Sequence, residues 1–546
     1  MVTHAFAHLH LSIGIVFAGG PVSQRAVTLI RSSYTLAKTK MAKSIHDLPT
    51  DILLLIFRSC TSRPLEQDVD HPPSWSVLPL CNGRTFSDTE APEYCLASEQ
   101  PDSHFPQGLT HVCRLWRDVI RAVSSFWIRL VIWIGWNPTP LLKIRRHLAC
   151  SRDRPIDIFL LRRFDPRMED STEKAQVKDA LRILLPHMKR WRSFIASLLH
   201  SSSLPCPRFE LTGSADLLQV LHLDFVSDDS VALGRARSKV ERPFETPALK
   251  RLSMGGLHFH EVYAKRFPQT ALPAGLAELT IREYGTRHPR FPLVQLLRCI
   301  LPCAELKQLT LANLELFCDY SDDLSLVSKT MRPWSADLHF FDMNMKVIYE
   351  VNWLLYFPDL ECVSYTRCFA PEPEPVAPSA SVVYMESIAD STIIWQVVRE
   401  AGIHRCALSE LYISNCDGLT DDVLHALGKP LLSEEEEPGE QWASRNLWSI
   451  HFEGCTNISS AVVRQLVQAR GVANAATGLT NYWQPGFNVM PVDMLDVYDC
   501  CALADEDKKW FEENPMQLFA WDDIYWDDVN WNGHAPGTSQ PREEAS

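Results

Sequence analysis

One short pattern constrains this chain more than any other: an apolar residue, two variable ones, then two apolar residues separated by one. It occurs as Leu218–Leu221–Leu223, Leu249–Leu252–Met254, Leu276–Leu279–Ile281 and Leu306–Leu309–Leu311. Looser copies follow at Leu360–Val363–Tyr365, Leu408–Leu411–Ile413, Leu447–Ile450–Phe452 and Val492–Leu495–Val497. Successive starts lie 31, 27, 30, 54, 48, 39 and 45 residues apart. The last two apolar positions of each copy are two residues apart, the spacing that puts both side chains on one face of a strand. A strand this short cannot bury that face alone, so the copies must stack, each covering the one before. The expected fold class is α/β: a solenoid of short parallel strands alternating with helices, with the longer gaps holding insertions.

Two copies continue further. LYISNCDGLTDDVLHAL (411–427) and IHFEGCTNISSAVVRQL (450–466) share a cysteine five residues after the first apolar position. Each then has a Leu or Ile three residues on, a hydroxyl residue and an amphipathic helix. LDVYDC (495–500) keeps the cysteine and then departs. In this extended form the ladder resembles the cysteine-containing leucine-rich repeat, which implies a thiol filling the core where the strand turns. Upstream, PTPLLKIRRHLACSRDRPIDIFLL (138–161) reads as a helix, a polar turn and a strand at Ile156–Leu161. LRILLPHMKRWRSFIAS (181–197) repeats the idea, with a strand near Trp191–Ala196. These read as the first two, degenerate repeats, capping the apolar end of the solenoid over 136–504.

Ahead of the ladder stand two apolar segments, Ile45–Cys60 (IHDLPTDILLLIFRSC) and Leu109–Ile128 (LTHVCRLWRDVIRAVSSFWI), with 48 residues from Thr61 to Gly108 between them. Each reads as a compact helix. Pro49 has no N–H to lose at a helix start, and Thr50 and Asp51 suit the positive end of the helix dipole. Ile52 to Phe57 are apolar all round, which predicts burial on more than one side. In the second segment Val112, Cys113, Trp116, Val119, Ile120 and Val123 recur at helical spacing, opposite Arg114, Arg117, Asp118 and Arg121. The LPxDILxxIF start, the VCRxWRDV helix and a following tryptophan, Trp127, resemble the F-box common in proteins of mushroom-forming fungi. The resemblance implies a small helical domain over 45–135, with an inserted loop at 61–108. It also implies a substrate-receptor subunit of a Skp–cullin–F-box ubiquitin ligase. On it, Leu48, Pro49, Ile52, Leu53, Ile56, Phe57, Val112, Cys113 and Trp116 are the adaptor-binding and box-core set. The partners implied are a Skp-family adaptor, a cullin ligase and an unidentified protein substrate. The rival reading is a scaffold that binds proteins through the solenoid without any ligase.

The remaining features exclude more than they assign. A formal charge of −14 argues against nucleic-acid binding. About half of it lies in 505–529, where nine carboxylates face only Lys508 and Lys509, while Arg114–Arg167 is basic. Arg145, Arg146, Arg152 and Arg154 read as a solvated helix face and turn. Sixteen cysteines with no CxxC point to reduced thiols and to cytosol or nucleus. No apolar run is long enough to span a bilayer. Residues 1–44 contain no acid and read as a disordered or non-native extension, Met41 lying just ahead of the box. Pro-rich Phe369–Ala380 and acidic Ser433–Glu440 read as loops, near 366–382 and 430–445.

No phosphate loop, dinucleotide motif, HExxH or GxSxG is present, so neither a catalytic residue nor a cofactor or metal site is expected. His258 and His260 alternate on a possible strand and make a poor metal site without further ligands. Cys299 and Cys303, and Cys500 and Cys501, read as packing or turn positions. The C-terminal WDDIYWDDVNW (521–531), within an acidic aromatic tail at 505–546, reads as a cap on the last repeat.

Overall fold

The computed structural model describes residues 49–61, 106, 108–163, 171–229, 243–268, 271–318, 337–355, 360–370, 380–400, 408–431, 441–477, 489–522 and 524–527. The N-terminal extension, Leu48, most of the inserted loop, the Pro-rich and acidic loop centres and the tail beyond 527 lie outside the described residues. The rest divides into two units. One lies within Met1–Ile132 and Thr139–Phe159, the other within Trp133–Pro138 and Leu160–Ser546. Strands β1 (Arg129–Gly135) and β2 (Ile156–Arg163) have residues in both.

The first unit is helical: α1 (Thr50–Thr61), α2 (Arg114–Ala122) and α3 (Leu141–Ser151). Helix α1 starts on the Pro49 carbonyl, which accepts from the N–H groups of Ile52 (3.0 Å) and Leu53 (3.2 Å). Two expectations are corrected here. First, α1 buries one stripe, Leu53 and Phe57 at i and i+4, while Leu55 is 49 % exposed. Among the described residues α1 packs through one face only, so its apolar character all round does not bury it. Second, Leu109–Ile128 is not one helix. Gly108–His111 and Ser124–Trp127 are 3-10 turns on either side of a nine-residue α-helix. Cys113 caps α2 by accepting the Trp116 N–H on its sulfur (3.4 Å), so Val112 falls in the turn before the helix and is 55 % exposed.

In the second unit, strands from β3 (Trp191–His200) onward lie side by side in chain order. They are β4 (Val220–Ser227), β5 (Arg251–Gly255), β6 (Glu278–Tyr284), β7 (Gln308–Leu314) and β8 (Asp337–Phe341). Then come β9 (Leu360–Thr366), β10 (Ala380–Glu386), β11 (Glu410–Ser414), β12 (Ser449–Glu453), β13 (Met494–Tyr498) and β14 (Leu518–Trp521). All of these pair parallel, and the longer connections carry helices, such as Ser460–Thr477 between β12 and β13. The fold is α/β with a long parallel sheet alternating with helices.

The register turns the sequence pattern into two columns. Phe194, Leu221, Leu252, Leu279, Leu309, Leu338, Val363, Val383, Leu411, Ile450, Leu495 and Phe519 are successive partners. Two residues on, Met254, Ile281, Leu311, Phe340, Tyr365, Met385, Ile413, Phe452, Val497 and Trp521 form the second column. None of these side chains is more than 2 % exposed. Burial of each contributes roughly 1.5–3 kcal/mol, and a one-residue slip would turn a whole strand's set outward.

The columns correct the rung count. The intervals of 54 and 48 residues each contain a further strand, β8 and β10, not an insertion alone. Both lack the leading leucine. In β10 Ala380 pairs with Leu360 in that place, so the first residue of a strand had read as the end of the Pro-rich loop. The ladder also continues past residue 504, through a helix at Asp505–Glu513 and then β14. The series ends in a hairpin, where Ile524–Asp527 pairs antiparallel with β14. Trp521 is 1 % exposed, donates its indole N–H to the Cys501 carbonyl (2.9 Å) and lies beside Phe511 and Phe519.

The eight rungs from β6 to β13 close on one device. Two residues after the second column, Glu283, Asn313, Asp342, Arg367, Ser387, Asn415, Gly454 and Asp499 all adopt positive φ, between 49° and 63°. Short polar residues and glycine tolerate this backbone, which frees the N–H to reach the next strand. Asp342, Arg367, Ser387, Asn415 and Gly454 donate to the carbonyls of Thr366, Glu386, Ser414, Glu453 and Tyr498 at 2.7–3.0 Å. The following residue turns inward: Tyr284, Leu314, Met343, Cys368, Ile388, Cys416, Cys455 and Cys500. Of these, Cys500 is half-buried and the others are buried. Sulfur here has a second role. Met343, Cys416 and Cys500 accept the N–H groups of Leu314 (3.3 Å), Ile388 (3.3 Å) and Cys455 (3.2 Å) from the preceding rung.

Two measurements test this account. Leu338→Ala should cost about 2–5 kcal/mol in denaturant unfolding, as a full rung position does. Cys416→Ala should cost about 1–3 kcal/mol, because it strands the buried Ile388 N–H. A neutral Leu338→Ala would mean that β8 is not a rung.

Candidate functional site

Two surfaces carry functional potential, one in each unit, and each is built from different chemistry. In the first unit the segments on either side of the 48-residue gap share a core. Leu53 and Phe57 from α1 meet Trp116, Val119, Ile120, Phe126 and Trp127. The Phe57 ring stands edge-on to Trp116 (4.9 Å) and to Phe126 (6.4 Å). The Trp127 indole donates to the Ile120 carbonyl (2.9 Å), tying the second 3-10 turn back to α2. On the other side Trp127 meets His147 of α3 edge-on at 5.1 Å. That imidazole is 2 % exposed, and burial pushes its pKa down to about 4.

The predicted set therefore separates. Leu53, Phe57 and Trp116 form core, and Ile52 and Cys113 are half-buried. Pro49 and Val112 are exposed, and so is Leu55, which lies outside the predicted set. Leu48 and the Ile56 side chain lie outside the described residues. Arg145, Arg146, Arg152 and Arg154 are all exposed, as a solvated face requires.

In the second unit the candidate surface is the face of the sheet opposite the two columns. Along β10–β13 the residues between the column positions are Tyr384, Tyr412, His451 and Asp496, successive partners in the register. Tyr384 and Tyr412 stack at 4.6 Å with planes 16° apart. Tyr412 to His451, and His451 to Tyr498, follow at 5.6 Å each. Tyr384 is 41 % exposed and the other rings are half-buried. Sequence reading passed over this row because the pattern was defined by its apolar positions. The variable residue between each apolar pair is what the outward face presents.

The other singled-out residues do not assemble chemistry. His258 and His260 lie on a helix, Gly256–Val262, not on a strand, and both are buried. Burial lowers the pKa of each, and His260 packs near Tyr284 and Phe291. Cys299 and Cys303 are buried with thiol pKa values pushed up to about 12, which keeps them protonated and unreactive. Ser201, Asp228 and His288 do meet. Here the carboxylate lies in the middle, accepting from Ser201 Oγ (2.6 Å) and facing His288 Nε2 (2.6 Å). A nucleophilic serine needs the imidazole on its hydroxyl, so this order makes a polar clamp. Among the described residues no group of three His, Cys, Asp or Glu is placed to hold a metal ion. Nor is any described helix long and apolar enough to cross a membrane. Neither a protein-family model nor a curated protein sequence matches the chain.

His147 gives the first unit a pH dependence of definite sign. Its folded pKa lies below the unfolded value near 6.5, so stability is full above that value and is lost as pH falls toward about 4. Urea unfolding followed by tryptophan fluorescence should shift to lower midpoint between about pH 7.5 and about pH 5. His147→Phe should flatten part of that shift. His187, His258, His260 and His339 are lowered in the same direction and contribute with the same sign.

Proposed function

We propose that this chain is a substrate-recognition adaptor of a Skp–cullin–F-box ubiquitin ligase. The first unit would dock a Skp-family adaptor, and the sheet of the second would hold the protein destined for ubiquitin transfer. One observation carries the reading. The segments bearing LPTDILLLIF and LTHVCRLWRDV close on a single core across their 48-residue separation, and still leave Pro49, Leu55 and Val112 exposed. A split motif that failed to close would have no defined docking surface. A closed one with all its apolar residues inside would have nothing to dock with.

On this reading the chain performs no bond chemistry. It acts by holding a target where a charged conjugating enzyme meets its lysines at raised effective concentration. The long parallel sheet supports the second role, since stacked rungs offer an extended row of outward side chains for a protein partner.

Leu55→Asp with Val112→Asp places charge on the exposed apolar surface without touching the core. Co-purification with a Skp-family adaptor and a cullin should fall at least about tenfold, while unfolding stays within about 0.5 kcal/mol. Leu48→Ala with Pro49→Ala should act in the same direction. Unchanged co-purification in both variants overturns the assignment.

A further inference from the structure

We propose that the outward sheet face of β10–β13 binds an extended, Arg- or Lys-rich peptide segment of a protein partner. This rests on the reading of that face as the target-holding surface, and it names the chemistry the target must carry.

The aromatic row is the primary observation. Tyr384, Tyr412 and His451 sit at one register level on adjacent strands, and Tyr498 joins the row one level further along. Ring spacings of 4.6–5.6 Å follow the strand repeat, so the rings form a continuous shelf. Four rings on four strands span about 14 Å, the length of about five extended residues. A peptide lying across the strands would place about three alternate side chains, about 6.7 Å apart, along the four rings.

The charges around the shelf decide what those side chains are. On β10–β12 the next outward level holds Glu386, Ser414 and Glu453, with Glu386 and Glu453 exposed. The level before holds Val382, Glu410 and Ser449, and Asp496 stands beside His451. Over these three levels of β10–β13 the outward residues include no Lys or Arg. The nearby guanidinium of Arg367 is engaged by both oxygens of Asp342 (2.7 and 2.6 Å). The field is felt within the shelf itself: burial and Glu410, which accepts the Tyr412 hydroxyl at 3.1 Å, push that phenol up to about 12.

Tyr384 and Tyr412 cover one face of each other, so guanidinium and ammonium groups meet the row at its hydroxyl oxygens and uncovered faces, and the flanking carboxylates pair with the same cations. Phosphate backbones meet repulsion here, which disfavours nucleic acid despite the rings. An apolar helix would have to strip water from the carboxylates without pairing them.

The test uses the purified full chain and a fluorescein-labelled peptide of alternating Arg and Ser, read by anisotropy. Its Glu–Ser counterpart and a labelled single-stranded RNA of similar length serve as competitor classes. The Arg peptide should bind, weaken with salt, and lose about tenfold in affinity in Tyr412→Leu and in Glu453→Gln. Glu453→Gln alters one exposed side chain, so it remains informative if Tyr412→Leu unfolds. Equal binding of the Glu peptide, preference for RNA, no binding, or affinity unchanged in Glu453→Gln each overturns the proposal. No Skp adaptor is present, so failure here leaves the docking reading intact. Loss of Skp co-purification alone likewise leaves this surface standing.

Discussion

Parallel register between short strands is the constraint on which the second unit depends. Each strand contributes two inward side chains, and neither is buried until the neighbours lie level with it. Leu252 is covered because Leu221 and Leu279 pair with it on either side, and the same holds from Phe194 to Phe519. Because strand side chains alternate with period two, a slip of one residue would exchange Ile413 and Leu411 for Tyr412 and Ser414. The energetic gap between these arrangements is several buried apolar side chains per strand. That gap lets the intervals between rungs vary so widely without loss of alignment.

The turn after each strand from β6 to β13 ties this alignment to the next rung. A left-handed residue points its N–H at the next rung, and its successor drops into the core. Asn, Asp and Gly meet this need cheaply. Glu283, Arg367 and Ser387 meet it at some cost in strain, offset by the bond and the burial that follow. Sulfur recurs at the inward position because it is large enough to fill the space and can still accept an N–H from the rung behind. The resemblance to a cysteine-containing repeat thus has a local physical basis: the column admits Tyr, Leu, Met, Ile or Cys by volume, and Met343, Cys416 and Cys500 also satisfy a donor.

In the first unit the governing contact is aromatic. Phe57 against Trp116 and Phe126 joins two segments far apart in sequence, and Trp127 locks the turn that follows. A helix of twelve residues with six consecutive apolar positions has more apolar surface than this one contact can cover. The surplus, Leu55 together with Val112 on the turn before α2, stays exposed.

Much of this was legible from residue types alone. The inward columns and the strands at Ile156 and Trp191 follow from periodicity and from apolar volume, which act locally, whereas the cysteine at the turn and the joining of the early helices were expectations from family resemblance. Three things were not. Rungs at 337–341 and 380–386 escaped because Ala380 and an unleucined start still fit once neighbours on both sides impose the register. The HFH motif looked strand-like, yet its residues form a short buried helix whose place is set by the rungs around it. The tyrosine row was invisible because it consists of the positions that the repeat leaves variable. The sequence by itself determined which faces must be buried, since hydrophobic periodicity is a property of consecutive residues. Only the tertiary structure decided which exposed residues share a surface, because Tyr384, Tyr412 and His451 become neighbours solely through the pairing of strands tens of residues apart.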